Sequence, residues 1–356
     1  MMGVFIIDST IELSIIIPVY NVEKHLEQCL ESLIDETING YEIILIDDGS
    51  TDGSPTICDS YRERYSCVKV IHRENVGSAA AARNTGLELA TGRYVTFFDS
   101  DDHADRGYLR ALLEHVQSSC DIYALSHYTD YSQTDHSVLS ELTDAVGIGA
   151  ADALRELEKK NAFNFVWNKI YKRALLEQEP KTVFYPDTEP GEDLIFNTLC
   201  FEKARTVTLI DEPYYHWVRR GEDTLANRFR RDLIQKNFLF IEYRERLYAS
   251  LGMEETDAAS LAKGNLSYVF SCVPNMYRAG KRFPRKERLK FYRDILGSEK
   301  IAFWFRVADA RSPLLRQLRL LYRMRSPILM DLYYSAVMGL RNVFGNTWVR
   351  LRNKAK

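Results

Sequence analysis

The chain has 356 residues, with 47 Lys+Arg against 50 Asp+Glu, 46% hydrophobic and 27% charged residues. These values exclude disordered, collagen-like and low-complexity chains and suit about two folded domains. A net charge of −3 also argues against a general nucleic-acid binder, which carries excess base. The average conceals an asymmetry: residues 311–356 hold ten basic residues and one acid, Asp331, so an acidic body of net −12 ends in a basic tail of net +9.

The six cysteines, at 29, 58, 67, 120, 200 and 272, form no CxxC pair and suit a reducing, cytoplasmic compartment. The first twenty residues lack a basic n-region and a small-residue cleavage site, so they do not read as a signal peptide. No apolar run approaches the roughly 18 residues that a membrane span needs.

In chain order, the LSIII run at 13–17 reads as a buried strand, followed by a helix over 22–34 with Val22, Leu26, Cys29, Leu30 and Leu33 on one face. Strands are predicted at 42–46 and 68–71. A helix over 78–90 is closed by Gly92 near the usual C-terminal glycine position, and strands follow at 93–98 and 121–126. This alternation is the βαβ signature of a mainly parallel sheet with flanking helices. Beyond 130 the pattern predicts a helix at 149–160, the segment Trp167–Tyr171, and a helix opened by Gly191-Glu192-Asp193. From 229 onward the reading is helical, over 229–250, 255–272 and 285–296.

In open parallel sheets, ligands bind beyond the carboxyl ends of the strands. Three of the predicted strands end there in polar clusters: Pro18–Asn21, Asp47–Ser54 and Asp99–Asp102. Acids gathered in one layer repel unless a cation joins them. Extended backbone would aim Asp99 and Asp101 the same way, able to face one hard divalent cation, Mg²⁺ or Mn²⁺ rather than Zn²⁺.

Four segments carry a resemblance: SIIIPVYN (14–21), IDDGSTDGS (46–54), NVGSAAAARNTG (75–86) and YVTFFDSDD (94–102). They resemble the conserved run of inverting glycosyltransferases of family 2, which have the GT-A fold. WNKIY (167–171) and GEDL (191–194) resemble blocks of the bacterial polysaccharide and cell-wall branch. The resemblance covers about 12–225. It implies an α/β GT-A domain over 12–228, with a nucleotide-binding half (12–126) and an acceptor half (127–228). A helical extension (229–310) and a basic amphipathic tail (311–356) follow.

The resemblance implies a metal-dependent hexosyl- or N-acetylhexosaminyltransferase that moves a sugar from a nucleotide-diphosphate sugar, usually a UDP-sugar. The acceptor would be a hydroxyl of a glycan or lipid-linked saccharide in bacterial surface polysaccharide synthesis. Pro18, Val19 and Tyr20 would lie under the base, Asp48 would contact it, and Asp99 the ribose. Asp101 would hold Mn²⁺ or Mg²⁺, and Asp102 would support that shell or lie near the donor sugar. Asp193 would be the catalytic base, with Glu192 a positioning residue. Asp52 reads as a turn or N-cap residue.

Several residues keep two readings. Arg83 contacts base or pyrophosphate, or pairs structurally with the acids. Trp167 stacks on an acceptor sugar, or is a core tryptophan. His216 is a ligand or a strand-surface residue. The family's Arg-x-x-Ser ending is replaced by Arg220-Gly221-Glu222-Asp223-Thr224, leaving open whether Arg219 or Arg220 meets the diphosphate.

On a helical wheel, Leu314, Leu315, Leu318, Leu321 and Tyr322 oppose Arg316, Arg319 and Arg323. Such a helix suits an anionic membrane surface on the inner face of the cell membrane, or the acidic body; Arg341, Arg350, Arg352, Lys354 and Lys356 extend the charge and Trp348 would anchor it. Two other function classes fit less well. A nucleotidyltransferase wants a glycine-rich phosphate loop that Pro18–Asn21 does not offer, and a nucleotide- or glycan-binding pseudoenzyme would have lost Asp101 or the base.

Overall fold

The structure, a computed structural model, describes residues 11–132, 136–220, 229–278, 283–308 and 313–354, with backbone only at 313–314 and 341–354. The chain divides into two compact units, Met1–Ala226 and Asn227–Lys356.

The first unit opens with β1 (Leu13–Val19), α1 (Leu26–Leu33), β2 (Tyr41–Asp47), α2 (Ser54–Arg64), β3 (Val68–His72), α3 (Ala79–Leu89) and β4 (Tyr94–Phe97). β1 and β2 are buried almost throughout, which is why their sequences are largely apolar rather than alternating; buried Ser14 of β1 donates to Glu42 of β2 at 2.6 Å. α1 starts four residues later than the periodicity predicts, because the amides of His25 and Leu26 both donate to Val22 O and close a turn there. The sequence reading missed α2. Its first turn carries Pro55, and only three of its eleven side chains are buried.

Gly92 does not cap α3. Ala90 does so in extended conformation (φ −63°, ψ 126°), and Gly92 is needed because a Cβ there would lie 2.7 Å from the Ser14 amide nitrogen. Gly92→Ala should therefore push the β4 entry away from β1 and cost about 1–3 kcal/mol of stability in urea denaturation. The alanines of α3 serve close packing, as does Gly86, whose added Cβ would meet Ile16 Cγ2 at 2.3 Å.

Next come β5 (His103–Ala104), α4 (Tyr108–His115), β6 (Ile122–Tyr131), β7 (His136–Ser140), β8 (Ala145–Ile148), α5 (Ala150–Lys159), β9 (Lys169–Lys172), α6 (Arg173–Leu176), α7 (Glu192–Lys203) and β10 (Val207–Arg219). Among the described residues the sheet has ten strands, in the order β3-β2-β1-β4-β9-β6-β10-β5, with β7 on β6 and β8 on β10. It is mixed rather than mainly parallel. β3, β2, β1 and β4 run parallel, β9 is antiparallel to both neighbours, β6 and β10 are parallel, and β5 is antiparallel to β10. The two-residue β5 and the exposed β7 carry no apolar run, so hydrophobic patterning could not mark them. One core lies along this sheet, built from β1, β2, β4, α1 and α4 and extending to Trp167 and Tyr215.

The second unit is helical: α8 (Leu233–Ser250), α9 (Ala258–Ser271), α10 (Val273–Met276), α11 (Arg285–Gly297), α12 (Glu299–Val307), α13 (Pro313–Arg323) and α14 (Pro327–Lys354). It has its own core, and Leu315, Leu318, Leu321 and Tyr322 of α13 are part of it. The apolar wheel face assigned to a surface is thus packed inside the helical unit. Asp331, the tail's one acid, is buried and accepts from Arg288 Nε (2.7 Å) and Tyr277 Oη (2.7 Å). The side chains of Leu314, Arg341, Trp348, Arg350, Arg352 and Lys354 lie outside the described residues, as does Lys356. Among the described residues, no helix is long and apolar enough to cross a membrane.

Candidate active site

Because β1, β2 and β4 are parallel and in register, their carboxyl ends fall at one edge of the sheet, as the polar clusters require. Val19 is buried and Tyr20 is half exposed beyond it. Asn21, at φ 51°, accepts from the Thr51 amide through Oδ1 (2.8 Å), so the loops after β1 and β2 are joined. Asp47 caps its own turn, accepting from the Ser50 amide (3.0 Å) and pairing with His72 Nδ1 (2.7 Å). Asp48 is buried and accepts from Arg73 Nε at 2.6 Å, a partner the sequence reading missed. Asp52 is a turn residue, accepting from the amides of Glu23 and Ser54.

Arg83 of α3 is the centre of the site. Its guanidinium is nearly buried; Nη2 donates to Asp99 Oδ1 (2.9 Å), and Nη1 to Asp193 Oδ1 (3.0 Å) and Glu192 Oε1 (3.3 Å). The Phe184 ring lies 5.5 Å below it. Three carboxylates from β4's end and α7's first turn therefore share one cation. This sharing brings Asp193 beside the acidic strand end although 94 residues separate Asp99 from Asp193. Burial pushes the Asp193 carboxyl up to about 8 against the pull of Arg83. Asp99 is raised for the same first reason.

Helix α3 is held in place by groups the sequence reading did not single out. Ser78 accepts from the Ala81 amide, and Glu189 Oε1 accepts from both Ser78 Oγ and the Ala80 amide at 2.8 Å. A carboxylate at that helix start also meets the positive end of the helix dipole.

The run Asp99–Asp102 is not extended. The Asp102 amide donates to Asp99 O (3.0 Å), closing a turn that sends the carboxylates to different partners. Asp99 faces Arg83; Asp101, about half exposed, pairs with Arg220 Nη1 at 2.9 Å. Asp102 is buried and accepts from Tyr215 Oη (2.7 Å) and the Val218 amide (2.8 Å), which makes it a support for the loop. Burial drives its carboxyl well above the ordinary range.

Of the two arginines at the end of β10, Arg220 meets the acidic turn; Arg219 lies over the Trp217 and Tyr131 rings. Residues 221–224, where the family's serine would fall, lie outside the described residues. His216 packs between His103 and Tyr128, with ring centroids 4.7 and 4.8 Å away.

Trp167 is core. Tyr215 stacks on it at 4.4 Å and Phe165 at 4.7 Å, His127 meets it edge-on, and it is 3% exposed, so no face remains for an acceptor sugar. The same segment hides Lys169, fully buried, whose Nζ donates to the carbonyls of Ala162, Phe163 and Phe165 and to Asn168 Oδ1 at 2.6–3.0 Å. Burial pulls its pKa down to about 7, while Asp193 favours the charged form. A lysine inside an apolar strand run was the one sequence signal that could have flagged it.

The acidic strand ends of this sheet, tied to an acid-opened helix through one guanidinium, lie at the carboxyl edge, where α/β folds of this kind bind their ligands. The chain belongs to glycosyltransferase family 2: the family model described as "Glycosyl transferase family 2" matches residues 14–179. A putative glycosyltransferase, EpsH of Bacillus subtilis, is 30% identical over 257 residues, covering 71% of this chain and 70% of that one. A poly(ribitol-phosphate) beta-glucosyltransferase of Bacillus spizizenii is 31% identical, covering 60% of this chain and 33% of that one. The crystal structure of S. aureus TarS 1–349 in complex with UDP-GlcNAc superposes with a TM-score of 0.65 at 19% identity, over 94% of this chain and 92% of that one, and shows the GT-A-like fold.

Proposed function

We propose that the protein is a metal-dependent inverting glycosyltransferase that moves a hexosyl or N-acetylhexosaminyl group from a UDP-sugar to a hydroxyl of a glycan or lipid-linked acceptor, in bacterial surface polysaccharide or teichoic acid synthesis. The observation that carries the reading is the Arg83 hub, which sets Asp193 within one guanidinium of Asp99. UDP and UDP-GlcNAc in the TarS structures, and the polyol-phosphate acceptor named for the Bacillus spizizenii relative, support the donor and acceptor classes.

Pro18, Val19 and Tyr20 would flank the base. Asp48 would receive its imide N–H once Arg73 shares the carboxylate, and Asp99 would bind the ribose. Asp193 would take the proton of the acceptor hydroxyl as that oxygen bonds to the anomeric carbon and the bond to the diphosphate breaks on the opposite face. Of the two arginines, Arg220, which already meets Asp101, would face the diphosphate, and Arg219, over the Trp217 and Tyr131 rings, would not. His216, which faces His103, would not.

Asp101 fits a hard divalent cation: its carboxylate is half exposed and already holds a cationic group, Arg220, at 2.9 Å. Mn²⁺ or Mg²⁺ held there would neutralise charge on the departing diphosphate. Asp101→Ala should abolish metal-dependent donor binding, measured by calorimetry with UDP and Mn²⁺. Equal affinity in the variant would remove Asp101 from the metal site.

Membrane contact is also proposed, but through a different surface from the wheel face. Leu320, Met324, Ile328, Leu329 and Leu332 are exposed between and on α13 and α14, beside exposed Arg323 and Arg325. Apolar tips among arginines suit an anionic bilayer surface on the cytoplasmic side. Met324→Glu with Ile328→Glu should cut co-sedimentation with anionic liposomes by about 30-fold, at roughly 1 kcal/mol for each of the two negative charges placed against an anionic surface; unchanged binding would remove this surface.

A further inference from the structure

The strands at the far edge of the sheet gather a cluster that the transfer reaction does not use. His103 on β5 and His216 on β10 are directly paired in the antiparallel register, and Tyr128 on β6 lies opposite His216 on its other side. Asp130 follows two residues after Tyr128, on the same face of the sheet. One ligand atom from each of His103, Asp130 and His216 lies within 4.8 Å of the other two. The two imidazoles are nearly parallel, with centroids 4.7 Å apart. His216 Nδ1 is 2.8 Å from Asp130 Oδ2. His216 Nε2 is enclosed and makes no hydrogen bond, although Asp105 Oδ2 is 3.2 Å away.

We propose that His103, Asp130 and His216 form a second metal site, taking a zinc-type divalent ion on two imidazoles and one carboxylate, separate from the cation site at Asp101. Ligands on one tetrahedral zinc lie about 3.3 Å apart at Zn–N and Zn–O lengths of about 2.0–2.1 Å, so closure requires side-chain rotation and no strand movement. The donor set separates the two sites chemically. Imidazole nitrogen favours zinc, cobalt, nickel or copper, whereas the all-oxygen Asp101 site favours magnesium or manganese. The remaining coordination position falls to water, and Asp105 Oδ2, 3.2 Å from His216 Nε2, would hold the outer nitrogen of that ring while Nδ1, on the Asp130 side, takes the ion.

Such an ion would clip three strands at a useful place. β5 leaves the acidic turn Asp99–Asp102 directly, and β10 supplies Tyr215 and Val218 to Asp102 and is followed by Arg220, which meets Asp101. The site would therefore fix the frame around the acidic turn without touching substrate. Its role is structural.

The test is a Co²⁺ titration of the full chain carrying Asp101→Asn, which removes the other cation site, followed by visible absorption. The expected result is one equivalent bound with the intense bands of low-coordinate Co²⁺, displaced by Zn²⁺ but not by Mg²⁺. Adding His103→Phe, which keeps a flat ring on His216, should weaken binding by at least about 100-fold, and Zn²⁺ should no longer raise the melting temperature. Asp130→Asn should weaken binding in the same way, with far-UV circular dichroism in chelator confirming that each variant folds. Co²⁺ affinity unchanged by His103→Phe, or no Co²⁺ binding in the Asp101→Asn chain, would overturn the site.

Discussion

Asp193→Asn should keep UDP-sugar binding within a few-fold while transfer falls by about 10²–10⁴-fold, the range that a positioned general base contributes. The amide retains the shape of the carboxylate and can still meet Arg83 Nη1, so the Arg83 hub with Asp99 and Glu192 survives. What is lost is the ability to accept the acceptor's proton. The pH dependence has a fixed sign. A base works deprotonated, and burial raises this carboxyl to about 8, so kcat/KM should climb with pH over a limb lying well above the ordinary carboxylate range. A limb near pH 4 in the wild-type enzyme, or near-normal transfer by the asparagine variant, would assign the base elsewhere.

Arg83→Gln should be the most destabilising single change at the site, by about 3–5 kcal/mol in urea denaturation, because it strips the shared cation from three carboxylates. The loss should grow with pH. Without the guanidinium the three carboxylates repel one another, and the Asp99 and Asp193 carboxyls, already raised by burial, rise further above their unfolded values. The native state then binds more protons than the unfolded chain, so stability falls as pH rises from about 4 towards those raised values. A variant whose stability loss is flat across pH 5–9 would show that the three acids are not coupled through Arg83.

The parts legible in the sequence were those that burial writes into composition. β1, β2 and β4 are largely apolar runs, β2 and β4 leading into acids and β1 into Tyr20-Asn21, and their parallel pairing placed those ends together as patterning required. What patterning could not give were contacts between distant segments. Nothing near Asp102 in sequence announces Tyr215, nothing near Asp48 announces Arg73, and Glu189 reaches back more than a hundred residues to open α3. The turn at Asp99–Asp102 was misread as extended because a strand's alternation was carried past its end, where one i-to-i+3 hydrogen bond reverses it.

Two amphipathic signals were ambiguous for a physical reason. A helix face made of Leu315, Leu318, Leu321 and Tyr322 is equally apolar whether it meets lipid or other helices, and here it meets helices. An indole is equally suited to a sugar face and to a core, and Trp167 is covered on both sides by Tyr215 and Phe165. The basic tail is reinterpreted in the same way: its lone acid, Asp331, is spent inside the helical unit on Arg288.

The most direct measurement is release of nucleoside diphosphate and sugar from a panel of nucleotide sugars, with and without Mn²⁺, by the full-length protein. The expected result is turnover and binding confined to uridine nucleotides and dependent on the metal, lost in Asp101→Ala and retained as binding alone in Asp193→Asn. Metal-independent turnover, or no affinity for any uridine nucleotide, would contradict the account.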